Sequence, residues 1–569
     1  MEKVLSTTAL KAIISASLAL TLAAPAVSAA ASTDGSAPAA QANAEAAAGP
    51  VMAPIRQAAE SLGAHVQWNA ADRSVTLSKG ATSIVVKIGG ETATVNGEEV
   101  PIGRKAEMIG QTAHVPVEFI NRVLNASIEW NPEQGKVMFG ADDVEGQASQ
   151  FIYRLNRGDV NEILFSATAG LKEAMPPEAF ALFAMKVKAA FGELSKQLSS
   201  SVSANGVHTN VTMLYEAANT PIPIEFTVRF DKDRQIDDFT LSLASEPAAS
   251  YQSPSYDRPE TYSEREVVIG DGPFALPGTL TMPKGEGRFP AVILVHGSGP
   301  HDRDSTIGGT KPFKDLAAGL ASQGIAVLRY EKVTKEHTAK VSGNPKFTLK
   351  DESVADVLKA AELLKQTEGI DPAKIFAAGH SQGGYAMPLI LESDEAGTLA
   401  GAVLLSAPSE NMTTVIIEQQ KEVLERMKLL GLPEEIVAQQ GQSSAMWTAI
   451  AESVNNPEYS KDNLPPNFPL QPAYWWFEQR DYRPAEEAKE LSKPMLILQG
   501  ENDWQVSMNQ FGLWKEALKD RTDVEFKSYA DVNHVLAAYK DVSIGLEYNE
   551  PSNVSEEIVQ DIAAWIKKQ

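Results

Sequence analysis

Glycines flank a serine at alternate positions in Ala378-Gly379-His380-Ser381-Gln382-Gly383-Gly384. Residues 374–377, just ahead, read as a buried strand, and residues 385–391, just behind, read as the start of a helix. Gly-x-Ser-x-Gly between a strand and a helix is the nucleophile-elbow pattern. Its chemistry is covalent. A serine on so sharp a turn projects its hydroxyl into a cleft, and side chains two residues to either side would collide there, so both are glycine. The bare pattern arises by chance in roughly one chain in five of such composition, so its meaning rests on its company.

A serine hydroxyl needs a base near neutral pH. Where an elbow comes first in the chain, acid and histidine follow it. Of the 8 histidines, only His534 lies after Ser381. It sits in Asp531-Val532-Asn533-His534-Val535-Leu536, just past the strand-like residues 524–529. The acid is expected after the preceding strand, residues 494–499, where Gly500-Glu501-Asn502-Asp503 follows. Asp503 has the offset for the acid, with Glu501 as the alternative; its task is to hold the imidazole tautomer and stabilise the imidazolium. The oxyanion of an acyl-transfer intermediate needs N–H donors. One is expected from Gln382, directly after the nucleophile. The other is expected from Ser298, in the loop His296-Gly297-Ser298-Gly299-Pro300 that follows the apolar strand 291–295.

These pieces together resemble the α/β-hydrolase superfamily, and more closely its dienelactone-hydrolase-like and serine-aminopeptidase-like bacterial esterases, over about residues 262–569. The stretch from His296 to Asp304 is similar to the family's oxyanion loop with its trailing charges. Arg329-Tyr330-Glu331-Lys332 resembles a segment that usually reads Arg-Tyr-Asp-Lys-Arg-Gly; here it carries Glu331 and continues Val333-Thr334. The resemblance implies a Ser-His-Asp triad, an acyl-enzyme intermediate, and no cofactor or metal.

The elements that must position these groups alternate along the chain. A leading hairpin is expected at residues 266–269 and 275–282. Strands 291–295, 325–329, 374–377 and 402–405 then alternate with helices 311–322 and 351–365, the latter carrying Asp351 and Glu352 in its first turn. That order predicts an α/β fold with a doubly wound, mostly parallel sheet. Between residues 409 and 493 the alternation stops. So long a stretch between two sheet strands predicts a helical cap over the site. Tyr474, Trp475, Trp476 and Phe477 within it are candidates for an apolar substrate pocket, or for packing the cap onto the body.

Two small α+β domains are expected ahead of this hydrolase domain. Residues 1–30, with Lys3, Lys11, an apolar stretch over 12–22 and Val27-Ser28-Ala29, read as a secretory signal peptide. Residues 31–49 are alanine-rich and read as a flexible tether. Residues 50–140 repeat themselves at an offset of 62: Leu62 matches Leu124, Val66 matches Ile128 and Trp68 matches Trp130, each copy a short helix and a hairpin. This resembles the stalk-like domain named after the N-terminus of copper amine oxidases, here without copper-ligand spacing. Both tryptophans are expected in the core. Residues 148–245 predict a helix-then-meander domain, with helices at 151–155, 160–165 and 177–198 and strands at 207–215, 222–230 and 236–243. Residues 246–261 read as a Pro/Ser/Tyr linker.

Composition narrows the function. The net charge of −24 argues against nucleic acid and anionic membrane surfaces as partners. With no cysteine, disulfides, thiolate metal sites, a cysteine nucleophile and a lipidated N-terminal cysteine are excluded. No stretch after the signal is apolar and long enough to span a bilayer. The expectation is a secreted, extracellular or cell-wall-associated serine carboxylesterase acting on a small-molecule ester, with the front domain as spacer or wall contact. Two other readings stay open. One is a serine aminopeptidase, which needs an anionic subsite such as Glu331; the other is a wall-attached binding protein with a vestigial hydrolase domain.

Overall fold

The computed structural model describes residues 50–140, 142–244 and 250–569. The expected signal and tether lie outside the described residues, as do linker residues 246–249. The described chain divides into two compact units, one ending at Ala244 and one spanning the residues from 250 onward.

The second unit is built on an eight-stranded sheet. Its strands are β1 (Tyr262–Ile269), β2 (Leu276–Pro283), β3 (Phe289–Val295), β4 (Ala326–Tyr330), β5 (Ile370–His380), β6 (Leu399–Leu405), β7 (Met495–Gly500) and β8 (Val524–Tyr529). Their spatial order is 1-2-4-3-5-6-7-8. The leading hairpin β1–β2 is antiparallel and β2 joins β4 antiparallel, while every pairing from β4 to β8 is parallel. Parallel strands are buried on both faces and so are apolar throughout. On β3, Ala291, Ile293 and Val295 point into one core and Val292 and Leu294 into the other. Helix α1 (Pro312–Ala321) follows β3 by way of a loop, and α2 (Ala355–Lys365) follows β4 after two short helical turns, Val333–Glu336 and Thr338–Ser342. Phe313, Leu316 and Leu320 of α1 fill the second core; Val357, Ala361 and Leu364 of α2 fill the first.

Between β6 and β7 the chain leaves the sheet as α3 (Met412–Leu429), α4 (Glu434–Asn455) and the short α5 (Ala473–Glu478). This insertion has an apolar cluster of its own, built from Ile450, Val454, Phe468, Leu470, Trp476 and Phe477. After β7 comes α6 (Met508–Ala517), and α7 (Glu556–Lys568) ends the chain. The described part of the expected linker is anchored rather than free. Tyr251 donates its hydroxyl to Asp315 at 2.6 Å and Tyr256 donates to the Val554 carbonyl at 2.7 Å. The aromatic rings that made this stretch read as irregular are what fix it.

In the first unit both repeat copies are a helix followed by a hairpin: Ile55–Glu60 with His65–Asn69 and Ser74–Lys79, then Val117–Leu124 with Ile128–Asn131 and Lys136–Phe139. Trp130 is half-buried against the core. Trp68 departs from the expectation: it is 41% exposed, because it lies on the edge strand of its sheet with no neighbouring strand on its far side, although its cross-strand partner Val75 is buried. The following domain also differs. Helix Pro177–Phe191 stops at Gly192, whose φ of 75° is open to glycine and costly for other residues, and Leu194–Ala204 forms a first strand instead of the helix end. The result is a four-stranded antiparallel meander.

Candidate active site

The elbow follows from sterics. β5 ends at His380, and Ser381 adopts φ 54° and ψ −119° before the helical turn Gln382–Tyr385. Such a conformation costs a non-glycine residue roughly 1–3 kcal/mol and is kept only where the surroundings enforce it. Here they do. A Cβ on Gly379 would collide with the Gly383 carbonyl, and one on Gly383 would collide with the Val295 carbonyl. The turn is therefore clamped between its own two glycines and the end of β3. The loop after β3 presses on it as well: a Cβ on Gly297 would stand 3.2 Å from the Ser381 Cβ.

Asp503 and His534 come from the loops after β7 and β8. His534 Nδ1 lies 2.7 Å from Asp503 Oδ2, and the Asp503 side chain is fully buried. The carboxylate is saturated: Oδ1 accepts from the N–H groups of Gln505 (2.8 Å) and Val506 (2.9 Å), and Oδ2 also accepts from Gln499 Nε2 at 3.2 Å. Burial pushes the Asp503 carboxyl up, but the facing imidazole and the two backbone donors together outweigh it and hold the group below the usual carboxylate range. An ionised Asp503 accepts the Nδ1 proton and so leaves Nε2 of His534 with a free lone pair. Glu501, the alternative acid, is exposed and accepts instead from the Ser528 hydroxyl at 2.8 Å.

His534 is tied to the elbow through its backbone. His380 Nε2 donates to the His534 carbonyl at 2.7 Å, and the two rings lie 4.7 Å apart between centroids. The sequence neighbour of Ser381 thus holds the loop that carries His534. Among the described residues no acceptor is paired with the backbone N–H of Ser298 or Gln382. The carbonyls of the Ser298 loop are engaged, by contrast: Gly297 O by Lys332 Nζ at 2.7 Å and Ser298 O by His301 Nε2 at 2.7 Å. Of the four cap aromatics, Trp476 and Phe477 are buried in the cap's own cluster. Trp475 and Tyr474 are half-buried, and Trp475 donates its indole N–H to Glu352 at 2.9 Å.

Over 446 residues the chain is 31% identical to esterase EstD of Thermotoga maritima, which spans 76% of this chain and 97% of that protein. The chain belongs to the α/β-hydrolase esterases. The esterase is accordingly an enzyme, a carboxylesterase-like hydrolase. Its residues 289–540 match the family described as serine aminopeptidase, S33, and residues 32–139 match the copper amine oxidase N-terminal domain. A protease inhibitor of Brevibacillus choshinensis is 27% identical over 115 residues, 20% of this chain and 35% of that one. An esterase structure from Pyrococcus furiosus is 14% identical, covers 57% of the esterase and 98% of its own chain, and superposes with a TM-score of 0.34.

Sequence reasoning missed several residues around this site. Lys332 stands in the Arg329-Tyr330-Glu331-Lys332 segment, but nothing local gives it a partner. Glu352 reads only as an acid in the first turn of a helix; it is buried and bonded to Lys332 at 2.6 Å. Arg426 of α3 reads as one charge of many, yet it donates to the carbonyls of Asn502 (2.9 Å), Asp503 (3.2 Å) and Ser543 (3.2 Å). Such long-range partners leave no trace in local spacing.

Proposed function

We propose that this protein is a secreted serine carboxylesterase working through a Ser381-His534-Asp503 triad and an acyl-enzyme. The observation that carries the reading is the buried His534–Asp503 pair at 2.7 Å, held by His380 to the strained turn that bears Ser381. In this mechanism Ser381 Oγ attacks the ester carbonyl carbon while His534 Nε2 takes its proton. The oxyanion is met by the N–H groups of Gln382 and Ser298. His534 then returns the proton to the leaving alcohol as the C–O bond breaks. A water, deprotonated by the same imidazole, cleaves the acyl-enzyme and releases the acid. Asp503 stays ionised and stabilises the imidazolium in both halves. The half-buried Tyr474 and Trp475 are the remaining cap candidates for lining the acyl side.

The peptidase alternative needs an anionic subsite, from Glu331 or from the cap. Glu331 is already engaged by Arg303 at 2.8 Å, an arginine it shares with Glu266.

The test is Ser381→Ala in the secreted protein. Circular dichroism is expected to be unchanged, turnover of short p-nitrophenyl esters to fall by of order 10⁶, and fluorophosphonate labelling to vanish. Wild-type turnover in this variant would remove Ser381 from the mechanism. The secretion half is checked separately: protein recovered from culture medium is expected to lack the first residues, up to about Ala29.

A further inference from the structure

The loop after β3 can act as an oxyanion donor only if one peptide plane is turned the right way. A trans peptide is flat, with its C=O and N–H on opposite edges. Whatever holds the Gly297 carbonyl therefore decides where the Ser298 N–H points. The holder is Lys332, from the end of the segment that follows β4. Its side chain is almost fully buried, and Nζ lies 2.7 Å from Gly297 O and 2.6 Å from Glu352 Oε1. A lone buried ammonium would be costly, and Glu352 makes it tolerable by matching its charge.

Glu352 is itself positioned by an irregularity. It lies on a π-helical turn, Lys350–Val354, immediately before α2. Turns of this type recur at functional sites because the extra residue redirects side chains. Asp351 stays outside and accepts from the Thr348 N–H at 2.9 Å, while Glu352 turns inward. The second oxygen of Glu352 is taken by the cap: Trp475 Nε1 donates to Oε2 at 2.9 Å. Trp475 packs on both the main core and the cap cluster, so it belongs to the cap and touches the body.

We propose that Trp475, Glu352 and Lys332 form a buried relay that sets the orientation of the Gly297–Ser298 peptide and couples seating of the cap to stabilisation of the transition state. All three are positioning residues. The cap's indole orients the carboxylate, the carboxylate orients the ammonium, and the ammonium pins the carbonyl so that the opposite N–H edge is presented beside Ser381. The ammonium also polarises that peptide, which makes its N–H a stronger donor. Because the group served is an oxyanion donor, the relay acts on kcat and leaves ground-state binding alone. The proposal rests on the reading of Ser298 as an oxyanion donor.

The experiment uses the full-length protein and four variants: Trp475→Phe, Glu352→Gln, Lys332→Met and Trp475→Phe/Lys332→Met. Removal of one oxyanion donor costs about 10²–10³ in kcat, so misorienting one is expected to cost on the order of 10–100-fold in Lys332→Met and less, about 3–10-fold, in Trp475→Phe. KM is expected to stay within about twofold in Glu352→Gln, the variant that keeps the side-chain volume and leaves the pocket candidates Tyr474 and Trp475 in place. Affinity for a trifluoromethyl ketone, which forms an oxyanion on Ser381, is expected to fall in step with kcat/KM, while affinity for the product alcohol does not change. In the double variant the Trp475 effect is expected to disappear, since its route to the peptide is already cut. Full additivity of the two losses, or wild-type kcat in Trp475→Phe and Glu352→Gln, would overturn the relay. A kcat loss with unchanged trifluoromethyl ketone affinity would overturn it too. If Ser381→Ala loses activity while these variants behave like wild type, the relay alone has failed; if Ser381→Ala stays active, the underlying mechanism has failed with it.

Discussion

At the scale of single residues, the site is held by neutral and matched groups rather than by free charge. His380 shows this most clearly. Burial, and after it the neighbouring His534, pushes its pKa down from 6.5 to about 3, so it is uncharged in the fold at any ordinary pH. The sign follows from linkage. Between pH 6.5 and 3 the unfolded chain binds a proton at this position and the native state does not, so stability is intact above about 6.5 and falls as the pH drops. At pH 4.5 the loss from this one group is about 3 kcal/mol by the usual conversion of two pK units. His380→Gln keeps a donor for the His534 carbonyl and removes the titration. Urea unfolding at pH 7.5 and 4.5 is expected to show a smaller drop for the variant than for the wild type. Equal drops would mean that His380 is not kept neutral by the fold. The residue-scale features that the sequence made legible are those with local cause. Gly379, Ser381 and Gly383 announce themselves because the elbow's spacing is local, although what Gly383 would strike, the Val295 carbonyl, is distant in the chain. Trp68 is exposed against expectation because strand alternation marks a face but does not say which strand lies at the edge of the sheet.

At the scale of elements, the strands and the mostly parallel sheet were legible from apolar runs and their alternation with helices, the spatial order of the strands was not, and the cap was legible as a break in that alternation. What the cap does to the site was not, since it depends on partners from 20 to more than 100 positions away. Lys332 meets Glu352 on the turn ahead of α2, Trp475 reaches Glu352 from the cap, and Arg426 of α3 reaches the loop of Asp503. The last of these carries its own prediction. The Arg426 guanidinium forks across Asn502 O at 2.9 Å, Asn502 Oδ1 at 3.0 Å, Ser543 O at 3.2 Å and Asp503 O at 3.2 Å. It ties the cap's first helix to the backbone of the acid loop. Charged hydrogen bonds contribute about 1.5–3 kcal/mol each when broken on one side, though not additively. Arg426→Met keeps most of the apolar stem and is expected to lower kcat by about tenfold or more and the melting temperature by several degrees. Arg426→Lys is expected to rescue neither, because an ammonium cannot span the four acceptors as a planar fork does. Wild-type kcat in Arg426→Met would show that the Asp503 loop holds its shape without the cap.

At the scale of the whole molecule, the cores of the two units and the surface charge answer to different demands. Each unit buries its own apolar cluster, and within the hydrolase unit the site's charges are engaged locally, Lys332 with Glu352 and Arg303 with both Glu331 and Glu266. The excess of acidic over basic side chains, 74 against 50, therefore acts as a long-range field more than as a set of contacts. A field of this sign favours the approach of cationic esters and opposes anionic ones, and it does so through encounter rather than through the chemical step. Its reach shrinks with salt, from about 30 Å at 0.01 M to about 10 Å at 0.1 M. Three acyl esters of equal chain length, with cationic, neutral and anionic alcohols, separate the effects. Between 10 and about 300 mM salt, kcat/KM is expected to fall several-fold for the cationic ester, rise for the anionic one and stay level for the neutral one, with kcat unchanged for all three. If instead the three respond alike, salt is acting on the fold or the cap, and the net charge of −24 has no part in how substrate reaches Ser381.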